Sequence, residues 1–503
     1  MSEVAINTID EAVTEVSCND LLLAAGFSEM KQYEVIPQEN LNQGVTSASY
    51  ESRLLTALSI LINNMGEGDH HIDKNLIRKV LNRIDEILGY QVAVVMSDPK
   101  FRRLEQNWRS VHEIAKSMDF KTTKLAIMDV DKEELAEDFD ASSVDVSGGD
   151  FFHKVYVEEY DQYGGEPYSA IIGLYDFDKT DEDIAWLSVM GKVAEASHAP
   201  FIGAVAPRFF GCEHFAEIAD IKDIDGLMAH PKYGQWNAFR HTKAAGYIGL
   251  TLPNFMLRAP YDPANNPAGK GVLDGFDESL VYESPYEACL WGNAAALFAK
   301  NLTRSFEITG WCQSICGPTS GGLVSGLPIY NYNYRDPNDY VLPVNFLIPD
   351  HKELSLANAG FIGLVYEKKT ANACFFSAQS VKASETFEDP SDSENSQLTT
   401  KLPYTFSICK IAHYVKCIGR DEIGSESDDA VISNKLNTWI SQFVTSIPNP
   451  NTLTRSYYPF KAATIDVSKQ AGMAGWYKCQ IQILPHIKFE GMEVTLRLET
   501  RLG

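Results

Sequence analysis

Five places in this 503-residue chain collect side chains capable of chemistry. His413-Tyr414 lies close to Arg420-Asp421, the residue types of acid–base catalysis. Nothing nearby in sequence organises them, and a hydrogen-bonded core histidine is the preferred reading. Arg240 and Arg258 are candidates for an anion site, although a guanidinium in so acidic a chain usually pairs with a carboxylate of its own. Gly317-Pro-Thr-Ser-Gly-Gly-Leu-Val-Ser-Gly-Leu-Pro328 has the glycine density of a phosphate loop. It lacks a terminal Lys-Ser or Lys-Thr pair and a preceding strand that opens into a helix. It also lacks Gly-x-Ser-x-Gly, so Ser320 is no nucleophile elbow. A close-packed loop with special backbone angles is expected there. Cys312 and Cys316 are spaced for one half of a zinc site with no second half. His70, His71 and Asp73 share a loop and make a poor ligand set. No catalytic residue, metal or cofactor is assigned.

Composition narrows the class. A formal charge of −25 argues against a nucleic-acid surface, and 45% apolar residues mark a globular chain of two or more domains. No run approaches the length of a membrane span, and the acidic N-terminus lacks a basic n-region, so a cytoplasmic protein without signal peptide is expected. Nine scattered cysteines, an odd number, fit reduced thiols.

The supporting elements divide the chain into four stretches. Residues 1–45 form an acidic arm with Lys31 its only strong base. Residues 46–120 are helical. Leu54, Leu55, Leu58, Leu61 and Ile62 share one helical face, and Asp73 precedes a second helix. Asp98 is a natural N-cap with Pro99 at N1, opening a helix to Met118. On it Phe101, Leu104, Trp108, Val111, Ala115 and Met118 recur three and four apart, a seam against the core or a second protein. Residues 121–380 alternate strands and helices, an α/β body with a mixed sheet. Strands are expected at Leu125–Val130, Phe152–Tyr160, Tyr168–Tyr175 and Phe201–Ala206, with a helix capped by Thr180. In residues 381–503, Ser433 is expected to cap a helix. The chain then ends in two strand patterns: Trp476–Leu484, and Met492, Val494, Leu496 and Leu498 alternating with polar residues. Strands at a terminus with nothing to cover their edge belong to this chain's own sheet or invite a strand from another chain.

Many motifs in order give a sharper expectation. They are Asp98-Pro-Lys-Phe-Arg-Arg-Leu-Glu-Gln-Asn-Trp-Arg109, His198-Ala-Pro-Phe-Ile202, Leu250-Thr-Leu-Pro253, Arg258-Ala-Pro-Tyr261, Gly310-Trp-Cys312, Gly321-Gly-Leu-Val-Ser-Gly-Leu-Pro328, Gly360-Phe-Ile-Gly-Leu-Val365, His413-Tyr-Val-Lys416, Asn437-Thr-Trp439 and Leu484-Pro-His486. From about Thr46 to Gly503 the chain resembles the large subunit of the contractile sheath of bacterial type VI secretion systems (the TssC, VipB or IglB type). That resemblance implies a contractile-tail-sheath-like fold without enzymatic activity or cofactor. It implies an obligate small sheath subunit, helical stacking of protomers around an inner tube of hexamers, a baseplate, and an unfoldase that dismantles the contracted sheath. It assigns the mesh between subunits to Trp476, Lys478, Gln480, Ile481, Ile483, Met492, Val494, Leu496 and Leu498. Contact with the small subunit is assigned to Leu54, Leu58, Leu61, Ile62, Phe101, Leu104, Trp108 and Val111, and contact with the inner tube to the helix from Ser433. The competing readings are a soluble adaptor working through its acidic arm, or an enzyme acting on small anions through Arg240, Arg258 and the glycine-rich loop.

Overall fold

The computed structural model describes residues 74–143, 145–268, 276–333, 339–422, 429–447, 450–469, 477–486 and 496–502. The arm 1–45, the helical face at Leu54–Ile62, the His70–Asp73 loop, Trp476, Met492 and Val494 lie outside them. Thirteen strands are described: β1 Ile171–Phe177, β2 Phe201–Val205, β3 Ile248–Leu252, β4 Phe255–Arg258, β5 Leu290–Gly292, β6 Leu323–Val324, β7 Tyr330–Asn331, β8 Tyr340–Val341, β9 Phe361–Tyr366, β10 Ala373–Phe375, β11 Phe460–Lys469, β12 Tyr477–Pro485 and β13 Leu496–Leu502.

The central sheet runs β1-β2-β3-β9-β10-β6. Its first four strands are parallel and the last two antiparallel, the mixed sheet expected from the sequence. β2 and β3 are buried throughout, as strands covered on both faces are, and are apolar but for Thr251, whose hydroxyl donates to Gly203 O at 3.0 Å. Alternate residues feed opposite cores. Phe201 and Val205 join Phe361 and Trp186 on one face. Ile202 joins Ile362, Leu364 and Phe298 on the other. The β1–β2 crossover is helix Asp181–Ser197, whose N-cap Thr180 accepts from Asp183 N, as its sequence predicts.

Chain contacts separate two units: residues up to Ser97 with Tyr261–Glu283, and Asp98–Pro260 with Ser284–Gly503. In the first, helix α1 (Lys74–Ser97) is the long element. There Glu278 accepts from Tyr261 N at 3.0 Å, and Asp262 accepts from Ala264 N and Asn265 N. The second unit begins with α2 (Pro99–Ser117). Asp98 accepts from Lys100 N at 2.9 Å and Phe101 N at 3.2 Å, so both the cap and Pro99 at N1 are where the sequence places them.

Three expected elements differ. Leu125–Val130 has no regular secondary structure and joins no ladder. Phe152–Tyr160 is not a strand: His153–Asp161 is a nine-residue π-helix. Buried Phe151, Val155 and Tyr160 recur four and five apart, between 3.6 and the wider π turn, while the aromatic and β-branched content imitates a strand. Along it Phe152 stacks on Tyr156 at 4.8 Å, and Tyr156 meets Tyr160 at a tilt at 5.3 Å. Ser433 is no N-cap, because helix α7 (Asp429–Ser441) starts four residues earlier. α6 is taken below as Leu402–Glu422, α5 as Ala295–Thr309, α4 as the Asp181–Ser197 crossover and α3 as Lys132–Ala141.

Candidate assembly surfaces

Arg258, Arg240 and His413, considered above for catalysis, are each engaged by the fold. Arg258 is 8% exposed and holds Glu105, itself 12% exposed, through two hydrogen bonds of 2.7 and 2.8 Å. This is the internal ion pair preferred over an anion site. Burial raises the Glu105 carboxyl, but the hydrogen bonds and charges of Arg258 and then Arg109 outweigh it, leaving Glu105 below its ordinary range. Arg240 donates instead to backbone, to Val381 O at 3.0 Å and Asn358 O at 2.6 Å. His413 Nε2 meets Ser197 O at 3.0 Å inside the fold, the hydrogen-bonded core histidine expected. Burial, with His413 and Lys416 nearby, pulls His198 down to about 4, and burial also pulls His413 to about 4.

The glycine-rich loop is packed as expected. Gly321 has φ +105°, and a Cβ there would stand 2.0 Å from Ser314 O. Cys312 and Cys316 are free thiols, and among the described residues no group of His, Cys, Asp and Glu is arranged to hold a metal. Among the described residues no helix is long and apolar enough to cross a membrane.

Two surfaces remain. The first is on α2. Its inner face buries Ser110 and Ile114, sets Glu105 on Arg258, and places Arg102 on Glu287 O and Cys289 O at 2.8 and 2.6 Å. The opposite face carries Phe101, Leu104 and Trp108 at 38, 55 and 59% exposure, with Val111 half-buried. The helix is thus fixed from behind and leaves its seam in water. Such a stripe on a firmly held helix is a typical protein-binding feature.

The second is the C-terminal sheet, ordered β11-β12-β13 and antiparallel throughout. β11 is the strand that sequence reasoning missed. Ala462, Ala463 and Thr464 dilute its alternation, and only Phe460, Ile465 and Val467 signal it. β12 is the central strand. Its Cys479, Ile481 and Ile483 are buried with Leu436, Ile440, Ile411 and Trp311, while Lys478 is half-buried and Gln480 exposed. Leu496 pairs with Ile483 and Leu498 with Ile481, so both belong to β13, an edge strand. The other edge is treated differently. Asn437 of α7 clamps Ile465 of β11, donating to its carbonyl at 2.6 Å and accepting from its N–H at 2.9 Å. Ser433 donates to the same carbonyl at 2.9 Å. The mid-strand backbone of β11 is therefore spent on side chains, a guard against strand addition. Asn437 and Ser433 thus act on the sheet edge.

A held helix with an exposed seam and a sheet guarded at one edge are features that can serve assembly. Residues 78–382 match the family model for the EvpB/VC_A0108 tail sheath N-terminal domain, and residues 391–502 the EvpB/VC_A0108 tail sheath gpW/gp25-like domain. The chain belongs to this tail sheath family. As a member it is a structural sheath protein. The two matches leave residues 383–390 between them, and the second begins within helix Pro390–Thr399. Its relative, the type VI secretion system sheath protein TssC1 of Pseudomonas aeruginosa, is 35% identical over 436 residues, 85% of this chain and 86% of that one. Among solved structures, the cryo-EM structure of the anti-feeding prophage (AFP) baseplate, 6-fold symmetrised, has a chain similar at TM-score 0.31 and 8% identity. That match covers 64% of this sheath protein and 63% of that chain, under two thirds of its length, and is too slight to carry an argument.

Proposed function

We propose that this sheath protein is the large subunit of a type VI secretion contractile sheath. It pairs with a small sheath subunit, polymerises in the cytoplasm as a helical tube around an inner tube on a baseplate, contracts to drive that tube through the envelope, and is dismantled by an unfoldase. It catalyses no reaction. The observation that carries the reading is the pair of collinear tail sheath matches, joined by 35% identity to a protein named as a type VI sheath component. The α2 seam, with Phe101, Leu104, Trp108 and Val111, is the described part of the small-subunit contact. It is supported by its exposure on a helix whose other face is fixed. β13, with Leu496 and Leu498, is the edge that receives a neighbour's strand. β12, with Lys478, Gln480, Ile481 and Ile483, stands behind it as the rigid layer that transmits load. Support for that assignment is the guarded edge on the far side of the same sheet.

The test is negative-stain electron microscopy of the chain co-expressed with a small sheath subunit. Hollow, cogwheel-ended tubes are expected. Discrete particles, with both proteins soluble and bound, overturn polymerisation. Absence of a complex overturns the pairing.

A further inference from the structure

A cleft of about 400 Å³ lies between the stretch at Met128 and Val130, helix α3 and the π-helix, and shares no lining residue with α2 or the C-terminal sheet. Its floor is apolar. Leu135 and Phe151 are buried, Val130 is half-buried, and Met128 is 46% exposed. Its rim is acidic. Glu134, Asp138, Asp150 and Glu158 line it, against Lys154 and His153. Two of these carboxylates also serve the fold. Asp138 accepts from Asp150 N and Phe151 N at 2.8 and 3.2 Å, and Glu134 from Asp131 N at 3.1 Å. Glu158 lies 3.5 Å from His153 Nδ1. Asp150 and Glu158 are exposed.

The wall of the cleft is itself unusual. π-helices are rare, appear mostly as single turns, and are retained mostly at functional sites. This one spans nine residues, and its first turn supplies His153, Lys154 and Glu158 to the cleft. Its far end is held by α6: Arg420 donates to Tyr160 O and Gln162 O at 3.0 and 2.8 Å, and Lys416 to Asp161 at 2.6 Å. The wide turn is thereby anchored away from the cleft and exposed at it.

We propose that this cleft binds a basic peptide segment of a second protein, with a lysine or arginine on Asp150 and Glu158 and a neighbouring apolar side chain over Leu135 and Phe151. The apolar floor gives the anchor and the negative rim gives the sign. The inference does not depend on the sheath reading.

The experiment uses the full chain, purified with any subunit that keeps it soluble. A fluorescein-labelled peptide Gly-Lys-Leu-Arg-Phe-Lys-Gly is titrated by anisotropy. One control replaces its basic residues with Glu, and the other replaces Leu and Phe with Ser. The basic, apolar peptide is expected to bind about tenfold or more tighter than either control, and more weakly as salt rises. Asp150→Lys with Glu158→Lys is expected to weaken it at least about tenfold, and Met128→Glu likewise. All of these side chains are exposed, so the melting temperature is expected to stay put. Equal binding of the three peptides overturns the proposal. So does binding unaffected by the rim variants, or no binding at about 1 mM peptide.

Discussion

The Glu105–Arg258 pair makes the sharpest test of how α2 is held. Both side chains are nearly withdrawn from water, at 12 and 8% exposure, and they meet in a two-bond fork. Removing one member of such a pair strands the other, which costs about 3–5 kcal/mol. Glu105→Gln is expected near the lower end, about 3 kcal/mol, because Arg258 keeps a bond to Ala259 O and Arg109, which also contacts Glu105, is 39% exposed. In a unit of this size that is a fall in melting temperature of about 4 °C. Arg258→Met alone is expected to cost as much, because it leaves the carboxylate buried. The double variant Glu105→Leu/Arg258→Met is expected to recover more than half of the summed loss, because apolar side chains of similar size replace a desolvated pair without stranding either charge. The assay is thermal unfolding, followed by tryptophan fluorescence, of the parent, Glu105→Gln, and the cycle of Glu105→Leu, Arg258→Met and their double variant. The pair also predicts a pH signature. Its folded carboxyl titrates below its ordinary value of 4.5, so its contribution is complete above that pH and is lost as pH falls through the lower folded value. The difference between parent and Glu105→Gln should therefore shrink only below about pH 4.5. A Glu105→Gln melt within about 1 °C of the parent, or strictly additive losses in the double variant, refutes the claim that this pair fixes the helix.

Three further outcomes follow from the same geometry. Asn437→Ala leaves the N–H and carbonyl of Ile465 without the side chain that holds both, and is expected to cost about 2 kcal/mol and to speed exchange of the Ile465 amide, read by hydrogen exchange. Gly321→Ala drives a Cβ into Ser314 O at φ +105° and should abolish soluble protein, whereas Gly326→Ala, at φ +74° with open space around it, should cost only about 1–2 kcal/mol in a melt. His198 and His413 both titrate near 4 in the fold against 6.5 unfolded, so stability is full above about pH 6.5 and declines as pH falls toward 4. His198→Asn, which tolerates the left-handed backbone at φ 51°, is expected to flatten that decline.

How far the sequence could be read depended on whether local signals agreed with tertiary ones. Asp98-Pro99 and Thr180 announce helices through capping chemistry that needs no distant partner, and both helices begin there. The glycine-rich loop was legible because phosphate binding needs residues that are absent, while Gly321 needs a backbone that only glycine takes easily. The π-helix was not legible: its buried residues fit neither a period of two nor 3.6, and Arg420 and Lys416, some 260 residues away, hold its end. β11 was obscured for a related reason. Its edge is completed by Asn437 and Ser433 of α7, and its own alternation is weakened by alanines and a threonine. The bonding of Arg258 to Glu105, and of Arg240 to backbone, likewise depended on contacts that no spacing encodes.

The asymmetry of the C-terminal sheet bears directly on the proposed assembly. A sheet with two bare edges can gain strands on both sides, and identical chains would then pair in more than one register and direction. Here β12 is flanked on both sides, β11 is engaged at Ile465, and β13 is the outer strand of the sheet among the described residues. In the proposed sheath, one accepting edge per subunit makes each contact heterologous, head to tail, and a repeated heterologous contact whose rotation does not close produces a helix. The core beneath the sheet, built from Trp311, Ile411, Leu436, Ile440, Ile465 and Ile481, ties β11 and β12 to α6 and α7, so that in the proposed sheath pull on the sheet is borne by packed side chains. In the proposed sheath the guard on one edge is therefore as much a part of polymerisation as the open edge. Releasing Asn437 should yield irregular aggregates alongside tubes, an outcome that electron microscopy of the Asn437→Ala protein reads directly.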